Sequence, residues 1–152
     1  MIKTFDTYPH VPIMGPARPC SIGASWNDRI FVTTNNGVGE DRWSVPKPDA
    51  ANVVCLNKDT GKVVWEDESP GTNILFGEWG SPLVVEIEGR GQVIAPQGDG
   101  WLRSFDATTG KLLWKFDANF KTSKWIPHSN ESRNTLLAAP VWHDGRVYIA
   151  NG

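Results

Sequence analysis

The sequence predicts an all-β fold of short antiparallel strands, and three observations lead there. A strand–turn–strand phrase is spelled twice, as "LNKDTGKVVWEDE" from Leu56 and as "FDATTGKLLWKFD" from Phe105. The composition joins eight Trp to fifteen Gly and eleven Pro in 152 residues, which suits many short strands and tight turns. No stretch keeps an apolar period of about 3.6 residues over three turns, so no long helix is expected.

Residues 1–19 read as an irregular N-terminal segment. "RIFVTTNNG", from Arg29, is a β-branched and aromatic run closed by Asn-Asn-Gly. "NVVCLNKDTGKVVWED", from Asn52, holds two short apolar runs around Asp-Thr-Gly. "SPLVVEIEGRGQVIAPQGDGWLRSFDATTGKLLWKFD", from Ser81, reads as four strands joined at Glu-Gly-Arg-Gly, Gly-Asp-Gly and Thr-Thr-Gly. "APVWHDGRVYIANG", from Ala139, is a hairpin turning at His-Asp-Gly. Each turn contains a residue that takes positive φ at no steric cost, which tight hairpins require.

The repeat has a fixed register. Asn57, Thr60, Gly61, Lys62 and Trp65 recur 49 positions later as Asp106, Thr109, Gly110, Lys111 and Trp114. Asp or Asn ahead of such a turn bonds the backbone two residues on, and Gly supplies the left-handed position. In the strand that follows, Leu112 and Trp114 share one face and Lys111 and Leu113 the other. "RIFVTT" from Arg29, "GQVIAP" from Gly91 and "RVYIAN" from Arg146 fall in one common slot ahead of the phrase. A self-similar unit of four short strands, about 50 residues long, is the signature of a β-propeller blade. The expected blades are residues 20–68, with the middle turn lengthened by 37–52, then 79–117, then a half-blade at 138–152. A propeller closes with about four to eight blades. This partial propeller of about two and a half blades is therefore expected to be a fragment, completed by a longer parent chain or by self-association.

The pattern Ala/Ser-x-Asp-x-x-Thr-Gly-Lys-x-x-Trp resembles the tryptophan-docking motif of quinoprotein-type propellers. Residues 104–114 carry it with Ser in the small position, and residues 55–65 carry it with Cys there and Asn for Asp. The wider text, over about residues 20–152, resembles the PQQ-binding-like β-propeller repeat family of bacterial envelopes, often labelled BamB-like. The resemblance implies that Trp65 and Trp114, with Gly61, Gly110, Asp106, Thr60 and Thr109, lock blade to blade and perform no chemistry. It also implies a periplasmic or otherwise extracytoplasmic place in a bacterium, although the N-terminus lacks the basic start and apolar block of a signal peptide. The expected function is a non-catalytic scaffold for a protein or ligand, with no cofactor. The alternative is part of a quinoprotein dehydrogenase, oxidising alcohols or sugars with PQQ and calcium. One group of those enzymes sets an adjacent Cys pair over the quinone, whereas Cys20 and Cys55 stand 35 positions apart here. Asn35, Glu40, Asp41 and Asp99 are the polar candidates for calcium.

Other function classes recede on composition. The formal net charge is −2, with Lys and Arg mixed among Asp and Glu, so no basic face for nucleic acid is expected. No apolar run reaches the roughly 18 residues of a membrane-spanning helix. The cysteines form no CxxC and read as free, partly buried hydrophobes. His10, His128 and His143 lack metal-ligand spacing, and His143 reads as a solvated turn residue. "GDG" from Gly98 has no helix behind it and reads as a hairpin turn, not a phosphate loop. Two long irregular segments, 37–52 and 118–135, carry Trp43 and Trp125. These two indoles either anchor a peptide or sugar partner or fold back over the outer strands.

Overall fold

The computed structural model describes residues 23–34, 39, 41, 44–74, 79–124, 126 and 136–150. Strands β1 (Ala24–Trp26), β2 (Arg29–Thr33), β3 (Val53–Asn57) and β4 (Val63–Asp67) form an antiparallel sheet in chain order. Strands β5 (Leu83–Ile87), β6 (Arg90–Pro96), β7 (Trp101–Asp106) and β8 (Leu112–Asp117) repeat that order in a second sheet. A hairpin of β9 (Val141–His143) and β10 (Arg146–Tyr148) follows. No α-helix occurs among the described residues; a single 3-10 turn, Gly71–Asn73, lies between β4 and β5. Two four-stranded meanders followed by a two-stranded one make an all-β partial propeller of about two and a half blades.

The two complete sheets share an irregularity. Cys55 opposes Trp65, but the next residue, Leu56, opposes Val63. Ser104 opposes Trp114, and Phe105 opposes Leu112. One extra residue, Val64 or Leu113, is thus let into the outer strand at the same place in each copy. A bulge of this kind re-aims the side chains beside it, here next to the repeated Trp.

The sheets pack face to face. Phe31, Val53, Cys55 and Trp65 of the first sheet meet Val93, Ala95, Phe105 and Ala107 of the second in one buried cluster. Ile94 and Leu102 look the opposite way, into a second cluster with Val85 and Leu136, onto which Trp142, Val147 and Ile149 pack. Side chains alternate across a strand, so β6 sends Val93 and Ala95 to one core and Ile94 to the other.

A specific seat joins the first pair of sheets. Trp65 lies between Phe31 and Phe105, its ring centroid 5.8 and 6.0 Å from theirs. Its Nε1 donates to the carbonyl of Ala107 at 3.1 Å. The ring sits on Gly110, where an added Cβ would come within 2.7 Å of the indole. Gly110 also holds φ of +73°, so the turn needs glycine for its backbone and its surface alike. A second indole makes a similar approach. Trp26 covers Gly91, where a Cβ would meet the ring at 2.7 Å, and Trp26 Nε1 donates to Glu86 Oε2 at 3.0 Å. Sequence reasoning did not single out Trp26.

This geometry separates two glycines of like conformation. Gly89, φ +75°, has nothing within 4 Å of an added Cβ, so Gly89→Ala costs only the left-handed backbone, about 1–2 kcal/mol. Gly110→Ala adds overpacking against Trp65, a further roughly 1–3 kcal/mol. Urea unfolding is expected to show Gly110→Ala as clearly the more damaging; equal losses would mean that the indole does not rest on this turn.

Candidate functional site

The repeated turns are built alike. Asn57 Oδ1 accepts from the Asp59 and Thr60 amides at 3.2 and 3.0 Å and from the Thr60 hydroxyl at 3.0 Å. Asp106 Oδ1 accepts from Thr108 and Thr109 amides at 3.0 and 2.8 Å and from the Thr109 hydroxyl at 2.9 Å. Gly61, φ +69°, and Gly110 follow in the left-handed region. Each copy has one partner outside its turn: Asn57 Nδ2 donates to Asp28 Oδ2 at 3.0 Å, and Arg90 Nε donates to Asp106 Oδ2 at 2.7 Å. Burial pushes the Asp106 carboxyl up, but Arg90 and the Thr109 and Thr108 donors outweigh it and hold the group at about 2. Trp114 is half-buried against the second cluster, and its Nε1 donates to Gln92 Oε1 at 3.2 Å, within its own sheet. These residues are engaged by their own turns and cores.

An open cleft of about 410 Å³ lies at the other end of the sheets. In an antiparallel meander the β2–β3 and β6–β7 connections and the exit from β4 share one end. Accordingly Pro48 and Asp49, from the first connection, and Glu68, Ser69, Pro70 and Gly71, after β4, line the cleft with Arg103 of β7. Arg103 is 9% exposed, and its fork is occupied. Nη1 donates to Gln97 Oε1 at 2.6 Å and Asp99 Oδ1 at 3.0 Å, and Nη2 donates to Asp99 Oδ2 at 2.7 Å. Gln97 in turn donates to the Ser69 carbonyl at 2.7 Å. A buried guanidinium paired in this bidentate way is a rigid floor and not a free charge. The Trp101 ring lies beside it, with the Arg103 guanidinium at 5.8 Å and the Lys115 ammonium at 5.0 Å.

Some sequence expectations fall on this end and some lie outside the described residues. Trp43, Trp125, Asn35, Glu40, Cys20, His10 and His128 are among the latter. Asp99, a calcium candidate on sequence, accepts from Arg103 with both carboxylate oxygens. Asp41 Oδ1 accepts from the Ser44 amide and hydroxyl at 2.9 and 2.8 Å. Among the described residues no cluster of three metal-ligating side chains occurs. Cys55 is free and buried, and burial pushes its thiol up to about 11, with Arg29 pulling down and Asp28 adding to the rise. "GDG" forms the β6–β7 turn, and His143 is exposed beside Asp144 at 3.3 Å. Sequence reasoning missed Gln97 and Arg103. The available signal was an acid and a base four residues apart, Asp99 in the β6–β7 turn and Arg103 on β7.

The Asp106–Arg90 pair yields a pH test. A carboxyl held below its ordinary 3.8 adds stability that is present above about pH 4 and is lost as pH falls toward about 2. With the Asp106 side chain 9% exposed, that contribution is about 1–2 kcal/mol. Asp106→Asn keeps the turn bonds, as Asn57 does, but loses the ion pair. Its unfolding free energy is expected to lie below wild type at pH 7 and to meet it near pH 2; parallel curves would mean that Arg90 contributes nothing.

Comparison with known proteins places this geometry. A family model described as outer membrane protein assembly factor BamB matches residues 17–152. The BamB of Francisella tularensis is 23% identical over 150 residues, covering 99% of this chain and 26% of that protein. The quinohemoprotein alcohol dehydrogenase ADH IIB of Pseudomonas putida is 28% identical over 99 residues, covering 61% of this chain and 12% of the enzyme. The crystal structure of BamB from Moraxella catarrhalis superposes with a TM-score of 0.59 at 19% identity, over 85% of this chain and 33% of that one, which supports the fold. The chain thus spans a small part of the length of its relatives. Its repeated turns, its paired sheets and the match along nearly its whole length make it a member of the BamB-like family of PQQ-type β-propeller repeats.

Proposed function

We propose that the chain is the part of a longer propeller that presents a binding surface to a protein or peptide partner in the bacterial envelope. The observation that carries this reading is the cleft. Rigid, tryptophan-seated sheets place segments 48–49 and 68–71 around a buried, bonded floor at Arg103, so that floor is set before a partner arrives. Preorganisation of that kind lowers the cost of association. Trp43 and Trp125, which lie outside the described residues, are proposed as aromatic anchors for that partner. Family membership supports an extracytoplasmic location, and no helix of the described residues is long and apolar enough to cross a membrane.

Site-specific photocrosslinking in the natural full-length protein tests the reading. A photoreactive residue replacing Asp49 is expected to give a discrete adduct that Trp43→Ala with Trp125→Ala weakens. The same probe at Gly145, in the β9–β10 turn at the opposite end of the strands, is expected to give none. Equal adducts at both ends, or none at position 49, would remove the cleft from consideration.

A second reading, a quinoprotein dehydrogenase, is favoured by relatives named as such, including a quinoprotein ethanol dehydrogenase of Pseudomonas putida that is 32% identical over 72 residues. The commitment of Asp99 to Arg103 opposes it. Supplying PQQ and Ca²⁺ to the full-length protein is expected to leave a redox dye unreduced with alcohols or glucose; substrate-dependent reduction would reverse the ranking.

A further inference from the structure

Segment 68–73, one wall of the cleft, is bonded mostly to itself. The Glu68 carbonyl accepts from the Gly71 amide at 2.9 Å, and the Pro70 carbonyl accepts from the Asn73 amide at 3.3 Å. Ser69 turns its amide and hydroxyl back to Asp67, at 2.9 and 3.4 Å. The first sheet reaches the segment through Asn52 Nδ2, at a long 3.5 Å from the Glu68 carbonyl. Its far end is pinned by Ile74, 2% exposed. Among the described residues, the short bond tying the middle of this segment to the second sheet is the 2.7 Å contact from Gln97 Nε2 to the Ser69 carbonyl. Gln97 is 1% exposed and is itself held through Oε1 by Arg103, which Asp99 clamps in place.

We propose that Gln97 is a latch and that 68–73 is a strap: the single amide bond holds the strap against the second sheet and sets the width of the cleft. When that bond opens, the strap swings about its ends at Asp67 and Ile74 and admits an occupant bulkier than the closed cleft takes. The physical basis is an imbalance. The Gln97–Arg103–Asp99 side of the contact is buried and charge-assisted, and so is stiff. The strap side has exposed Glu68, Thr72 and Asn73 and a local network that survives without the tether. Segments with few bonds to the body open independently of global unfolding. Gln97 is thus a positioning residue that acts on the wall without needing to touch what enters. Its gating role rests on the cleft being the binding site, but the latch itself is measured without any ligand.

Amide hydrogen exchange of the protein alone is the test. Gln97→Leu removes the donor, and exchange at Ser69, Gly71 and Asn73 is expected to rise about fivefold or more, in keeping with one lost buried hydrogen bond. Amides of β3, β4 and β7 are expected to stay as slow as in wild type. Gln97→Glu keeps an acceptor for Arg103 while removing the donor to Ser69, so the same local rise is expected there even if the leucine variant does not fold. Unchanged strap exchange in Gln97→Glu overturns the latch, and so does an equal rise across all three strands, which would mean general destabilisation. Loss of crosslinking at position 49 with the exchange pattern as expected would instead count against the cleft as the binding site.

Discussion

The indole of Trp65, seated on the bare backbone of the next sheet's turn, is the contact on which the rest of the structure depends. A four-stranded sheet with one apolar face cannot remain alone in water, and among the described residues no helix covers the two sheets. They must cover one another. Stacking by apolar area alone would let them slide. The Nε1–Ala107 bond and the close approach to Gly110 fix their offset instead, and the bulge beside Trp65 delivers the ring at the angle this requires.

From that seat the remaining geometry follows. With the offset fixed, the turn end of one sheet meets the turn end of the next, and the opposite ends bring 68–71 against the β6–β7 turn. There the contact changes character, from apolar packing to the polar chain Ser69–Gln97–Arg103–Asp99. Gln97, Arg103 and Asp99 are buried and bonded, and Ser69 is half-buried and bonded; bonding of this kind is the condition under which polar groups are tolerated in an interior.

Much of the fold was legible because it is written in local chemistry. The phrase from Asp106 to Trp114 combines an Asx turn, a left-handed glycine and an indole at fixed spacing, each with a meaning readable over a few residues. Strands β2 to β8 could be placed by their turn residues and β-branched runs. β1 could not: its three residues, Ala24–Trp26, show no alternation, and Trp26 matters through Gly91 and Glu86, 65 and 60 positions away. The cleft was hidden for the same reason. Ser69 and Gln97 are brought together by the stacking of sheets, and Gln97 in isolation reads as an ordinary polar residue before a turn.

Strand β6 belongs to two cores at once. Its side chains go alternately to two separate cores, and from Val93 to Pro96 none of them reaches solvent. The strand therefore has no tolerant side. A larger residue at Val93 or Ala95 presses on the preceding sheet, and one at Ile94 presses on the following hairpin. Change at this strand is judged by two neighbours at once, so drift in any one repeat is constrained by the repeats on either side, which helps to explain how such a chain keeps its units in step.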